Sequence, residues 1–231
     1  MPLPQIYDVI IPLIIIIPMG FVFFSSALLY NSLCRKNLLS ADESAQCVPL
    51  KKAREYFFVF AVAMAISVLF YWLISNDGFD LSLFFFVPPI AVSVLCRLKN
   101  GFVPIVSVVF CAFCVLGRIV FYCIFQGVGF GLSIVLSFLL ALGLILIPKL
   151  VFRKGHDENI DLPLILTLSL MASYFSPIYS VIYLFAVCLF IIILYVIPNF
   201  ISEKRRGNPI FTFEVPILAI SSAVFAAMLL I

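Results

Sequence analysis

Residues 9–31 carry no charged side chain, and seven further stretches along the chain come close to the same pattern. A helix advances about 1.5 Å per residue, so crossing a hydrocarbon core about 30 Å thick takes about 20 apolar residues. Laid along the sequence, that ruler marks eight spans, at about residues 9–31, 55–75, 81–96, 102–124, 129–148, 160–178, 179–198 and 211–230. The third is short, and only Ser176 and Pro177 divide the sixth from the seventh. Lipid offers no hydrogen-bond partners to the backbone, so runs of this kind cross as helices. At 65% hydrophobic and 11% charged residues, a chain of 231 residues has more apolar surface than a soluble core of that size can hide. The expected fold is all-α: a polytopic membrane helical bundle of about eight transmembrane helices. It is read as one integral membrane domain over residues 1–231, because no fixed-period repeat, low-complexity run or Gly/Ser linker divides the chain.

Charge orients the bundle. Of the fourteen Lys and Arg residues, all but Arg118 fall in the connections after the first, third, fifth and seventh spans. Arg35, Lys36, Lys51, Lys52 and Arg54 form the first group, Arg97 and Lys99 the second, Lys149, Arg153 and Lys154 the third, and Lys204, Arg205 and Arg206 the fourth. The opposite connections offer Asn76, Asp77, Asp80, Gln126 and Gly127, without a basic residue. Cytoplasmic loops carry the Lys and Arg excess, so the four basic connections are expected inside and both termini outside the cytoplasm, as in a bacterial inner-membrane protein. Residues 34–54 then form a cytoplasmic loop. The net charge of +3 is accounted for by this bias, and no basic patch with interleaved aromatics points to nucleic acid. Membrane lipid is the expected surrounding.

No Lys or Arg precedes the first span and no small-residue cleavage site follows it, so that span is expected to remain and not to be removed as a signal. The seven cysteines lie in or beside apolar stretches or in the proposed cytosolic loops, where thiols stay reduced, and no disulfide framework is expected. Cys111 and Cys114 have a pair's spacing but sit mid-span with no second pair and no histidine nearby, unlike a zinc site. His156 is the sole histidine, and no Ser or Cys is placed against it to support a triad. No cofactor and no metal is expected.

An ionisable group within or at the edge of a bilayer costs about 2.5–3.5 kcal/mol at a helix centre, so each one needs a reason. Asp161 opens the sixth span on the basic side, where a first-turn acid is favoured by the helix dipole and where Asp is a preferred cap. Arg97 ends the third span ahead of a polar turn and Pro104, the place of an anchoring, snorkelling cation. Glu55 and Glu214 occupy the same-side ends of the second and eighth spans and could converge with Asp161 on one site. Arg118 lies deeper, in the other half of the fourth span, and is read as snorkelling or pairing inside the bundle. Asp77 and Asp80 fall on the side opposite Asp161, which removes them as its partners.

Taken in order, these segments resemble the type IV prepilin peptidases, the membrane aspartic proteases that cut leader peptides from pilins and secretion pseudopilins. The similarity is best over residues 50–231. Leu98-Lys99 with Val103-Pro104 resembles the family's Asp-Leu-Arg-x-x-x-Ile-Pro turn, with Pro104 in register. Asp161-Leu162 and the apolar run after it resemble the Gly-x-Gly-Asp segment, and Pro216-Ile217-Leu218-Ala219 resembles the C-terminal Pro-Phe-Gly-Pro-x-Leu-Ala. In that register Arg97 stands where the first catalytic aspartate is expected, and Glu158 and Ile160 replace the two glycines. Cys34 and Cys47 alone do not make the four-cysteine zinc region of the bifunctional members, so methyltransferase activity is not implied.

The resemblance implies a pilin-like or pseudopilin partner met at the cytoplasmic face, with aspartic chemistry centred on Asp161 if the chain is active. Aspartic proteases need two carboxylates sharing a proton. A cation at 97 beside Asp161 makes an ion pair in place of a dyad, and Glu214 or Glu55 would have to act as surrogate acid. A degenerate homologue that binds or assembles pilin-like helices is the alternative, and a small permease of the same eight-span form is a further one.

Overall fold

The computed structural model of the chain describes residues 3–35, 48–75, 81–151, 161–196 and 217–229. Among them are eight helices and no strand: α1 Leu3–Arg35, α2 Ala53–Ser75, α3 Leu81–Asn100, α4 Ile105–Phe125, α5 Val128–Val151, α6 Leu162–Ala172, α7 Pro177–Ile191 and α8 Ile217–Met228. A π-helical turn, Ile192–Val196, extends α7. Six helices, α1 to α5 and α7 with its extension, are long and apolar enough to cross a membrane. The chain is an all-α, polytopic integral membrane protein.

The helix ends depart from the expected spans in three places. α3 continues through Asn100, so Arg97 and Lys99 lie in its last turn and not beyond it. α6 has only 11 residues, which at about 1.5 Å each reach about halfway through a hydrocarbon core. Its chain breaks at residues 173–176, a few residues before the expected division, because proline at 177 removes an N–H and pushes the preceding residue out of the helical region. α8 has 12 residues in the described part.

The chain divides into two compact units, residues 1–100 and 101–231. In the first, α1 packs against both α2 and α3. Phe23 of α1 is its aromatic centre, with ring centroids 5.0 Å from Phe70 of α2 and 5.5 Å from Phe84 of α3. Gly20 brings α1 close to α2: a methyl group there would fall 2.3 Å from the Met64 sulfur. Toward the other end of the unit, Ala27, Tyr30, Leu50, Val59, Val92 and Cys96 form a buried cluster.

In the second unit α5 packs against α4, α6 and α7, and α8 closes against α7 and α6. The α4–α5 turn needs glycine at 127, where φ is +99°, a conformation that side chains with a Cβ rarely adopt. Four aromatic rings, Tyr174, Phe175, Tyr183 and Phe225, bind the helix break to α7 and α8, with neighbouring centroids 5.3 to 6.3 Å apart. Facing outward, α4 exposes Phe110, Phe113, Phe121 and Phe125, an apolar surface suited to lipid.

Among the described residues, tyrosines and cysteines aside, the buried polar side chains other than Asn31 are serine or threonine. Ser67, Ser93, Ser137, Thr167, Ser169 and Ser221 each donate to the carbonyl four residues earlier in their own helix. Such residues satisfy themselves locally while staying small enough for helices to approach. They are spacers, and their hydroxyls are already spent on the backbone.

Candidate functional site

The densest polar chemistry of the first unit surrounds residues 48–50, a strap without regular secondary structure leading into α2. Tyr30 near the end of α1 donates its hydroxyl to the Val48 carbonyl at 2.6 Å and accepts from the Asn100 amide at 3.0 Å. Asn100 accepts the Val48 N–H in return at 3.0 Å. Asn31 accepts the Leu50 N–H at 2.7 Å and donates to the Tyr56 hydroxyl, which itself donates to the Leu50 carbonyl. Three helix ends are thereby tied to one strap, and the buried Leu50 N–H finds its acceptor in Asn31.

This returning strap also corrects the cysteine expectation. Cys34 is disulfide-bonded, its partner lying outside the described residues. Tyr30 and Asn31 hold residues 48–50 against the last turns of α1, a return of the chain toward Cys34 that spacing alone did not suggest. Cys96, Cys111, Cys114, Cys123 and Cys188 are not disulfide-bonded.

Glu55 has a defined place in the same end. Its Oε1 takes the Lys99 ammonium at 2.8 Å, and its Oε2 accepts the backbone N–H groups of Lys51 and Lys52 at 3.1 and 3.3 Å. Reaching back from the third helical position to the N–H ahead of the helix is half of a capping box. Both oxygens of this surrogate-acid candidate are thus engaged in starting α2 and pairing α3. Arg97 lies in the last turn of α3 and is partly exposed. Glu214, the other surrogate, lies outside the described residues, as do His156, Asp77, Asp80, Glu158 and Ile160.

Asp161 belongs to the second unit and is the N-cap of α6. Its carboxylate accepts the Leu164 N–H at 3.2 Å, its carbonyl accepts the Ile165 N–H at 3.1 Å, and Pro163 stands in the first turn where a missing N–H costs nothing. Aspartate at this place both fills the orphan donors of the first turn and complements the dipole. A cap contact of this type is worth about 1 kcal/mol.

At the other end of α6 stands Arg118 of α4. Its two terminal nitrogens donate to the carbonyls of Ser173 and Tyr174 at 3.2 and 3.3 Å. The guanidinium also lies over two aromatic rings, 4.4 Å from the Tyr174 centroid and 5.2 Å from that of Tyr122. Pairing inside the bundle, expected for an intramembrane arginine, is realised here with backbone and π-faces.

Elsewhere the chemistry is sparse. Cys111 and Cys114 stand one turn apart on α4, Cys111 buried and both thiols free. No group of three or more His, Cys, Asp or Glu side chains comes together among the described residues. A lipid-facing groove of about 480 Å³ runs along α5 from Gly129 to Leu139 beside Pro177, and its lining offers shape without ionisable groups. Sequence reasoning missed Tyr30, Asn31, Tyr56 and Asn100, although the Lys52–Glu55 spacing and the glycine after Asn100 are readable helix-end signals. No protein-family model matches this chain, and no curated protein or solved structure matches it either.

Proposed function

We propose that this chain is a prepilin-peptidase-like membrane protein that has lost the aspartic dyad and engages pilin-like helices without cutting them. The observation that carries the proposal is the employment of Asp161: the one acid kept from the family's later motif caps α6 through the Leu164 N–H. The position of its dyad partner carries Arg97, a permanent cation that can neither take up a proton from water nor share one with a carboxylate. Glu55, the surrogate in the first unit, is engaged by Lys99 and two backbone donors. The partner in this proposal is the basic leader and apolar helix start of a pilin or pseudopilin.

The test mixes membranes containing the full chain with such a prepilin and follows leader removal by gel shift and retention by pull-down. The expected result is retention without processing, unchanged in Asp161→Asn, which keeps a cap acceptor but is no acid. Processing by the wild type that Asp161→Asn abolishes would make the protein an active peptidase. Neither processing nor retention would remove the pilin-like partner altogether.

The same proposal puts the basic helix ends in the cytoplasm, on thirteen of fourteen Lys and Arg residues. The Cys34 disulfide pulls the other way, since cytosolic thiols are kept reduced. Charge is the stronger guide, because it orients every connection at once whereas a single bond forms readily once the protein leaves the cell. Cys34 is therefore expected to be alkylated when cells are quenched directly in acid and then denatured with maleimide, and protected only after air oxidation. Protection in freshly quenched cells would place this end in an oxidising compartment and invert the orientation.

A further inference from the structure

In a continuous helix the Ser173 carbonyl would accept the N–H of residue 177, and proline there has none. Ser176 is accordingly extended, at φ −63° and ψ 161°. The end of α6 tightens first, with Tyr174 N–H donating to the Met171 carbonyl at 3.2 Å and Phe175 N–H to the Ala172 carbonyl at 3.1 Å. Beyond that tight turn the carbonyls of Ser173 and Tyr174 must find donors outside their own helix. With α6 only 11 residues long, they lie roughly 16 Å from its start, at a depth where lipid supplies nothing.

We infer that Arg118 is the clasp of an intramembrane hinge: its guanidinium stands in for the donor that Pro177 removes, and so fixes where α6 ends against α4. The planar fork suits this task. Two nitrogens reach two successive carbonyls, while the Tyr174 and Tyr122 rings lie against the charge. α6 thereby becomes a short rod with a fixing at each end, Asp161 at its start and Arg118 at its finish. The chain passes from α6 to α7 through the turn at 173–176, where Ser180 N–H to Ser176 carbonyl, at 2.8 Å, begins the next helix, and the Tyr183 hydroxyl of α7 also reaches the Met171 sulfur of α6 at 3.8 Å. Nothing in this depends on what the protein binds.

The experiment compares the full chain in detergent with Arg118→Met, Arg118→Lys, Pro177→Ala and both double variants, by thermal unfolding and by hydrogen exchange of peptides covering residues 162–176. Arg118→Met is expected to lower Tm by about 5–10 °C, as two buried carbonyls lose their partners in a chain of this size. Exchange in residues 162–176 should rise about tenfold, with residues 128–147 unchanged, the mark of a local opening. Pro177→Ala restores the N–H at 177, allows the helix to run on, and should recover at least half of the Tm lost in Arg118→Met. Arg118→Lys, a point donor, should fall between wild type and Met, and it carries the same comparison if the Met variant does not fold. A loss of equal size with and without Pro177, or no loss in either Arg118 variant, overturns the hinge.

Discussion

Asn31→Leu is expected to destabilise the first unit by about 2–4 kcal/mol, although leucine has the same number of side-chain heavy atoms and the same branching. Asn31 is buried, and its amide serves two partners at once: the oxygen accepts the Leu50 N–H and the nitrogen donates to Tyr56. Leucine leaves the Leu50 N–H without an acceptor in a place where water does not follow, and the full desolvation cost of that donor is then felt. The loss spreads, because the strap carries the bonds that join α1 to α2 and α3. Tyr56→Phe is the contrast: the Tyr56 hydroxyl serves Asn31 and the Leu50 carbonyl but is only part-buried, so water can take its place and its removal should cost about 1 kcal/mol. Denaturant unfolding in detergent measures both, and tryptic cleavage at Lys51, Lys52 and Arg54 reports the strap directly. Equal stability of Asn31→Leu and wild type, with unchanged cleavage, would show that the strap is not held by this amide.

Tyr183→Ala carries the largest expected cost in the second unit, about 3–5 kcal/mol. The side chain is fully buried, its ring lies 5.5 Å from Phe175 and 6.3 Å from Phe225, and its hydroxyl donates to the Ser221 carbonyl at 3.3 Å. Its single side chain touches the helix break and α8 from α7. Alanine opens a cavity among rings that cannot collapse onto one another without moving a helix. Tyr183→Phe keeps the ring contacts and gives up one hydrogen bond, so a loss of only about 1 kcal/mol is expected. If phenylalanine costs as much as alanine, the hydroxyl and not the ring holds α8 in place.

The two variants test different things about how such a fold is written. The ring cluster around Tyr183 could be anticipated only as apolar helix faces, since 26 phenylalanines in the chain leave many equivalent pairings open. Asn31, by contrast, is a polar residue at the end of an apolar run, a position where side chains usually meet water. Nothing local distinguishes an asparagine that caps a strap from one that is solvated.

The candidate site was legible to a similar degree. Asp161 before Leu162 and Pro163 reads directly as a helix start, and the structure uses it so. Glu55 three residues after Lys52 has the spacing of a helix-start acid, but its bond to Lys99 required α3 to continue four residues past its expected end. Arg118 stood out as an intramembrane cation, yet its partners are backbone carbonyls 55 and 56 residues away, groups that every residue possesses and no pattern marks.

Length and hydropathy were enough to establish an all-α membrane protein and to locate eight helical segments, because the bilayer imposes one ruler on every crossing and forbids open backbone. Proline at 177 was enough to mark a break. Which carbonyls that break exposes, which arginine answers them, and how α1 gathers α2 and α3 around a strap depended on contacts between residues far apart in the chain. Those contacts are chosen by packing and by the need to satisfy each buried polar group, and both exist only once the helices have met.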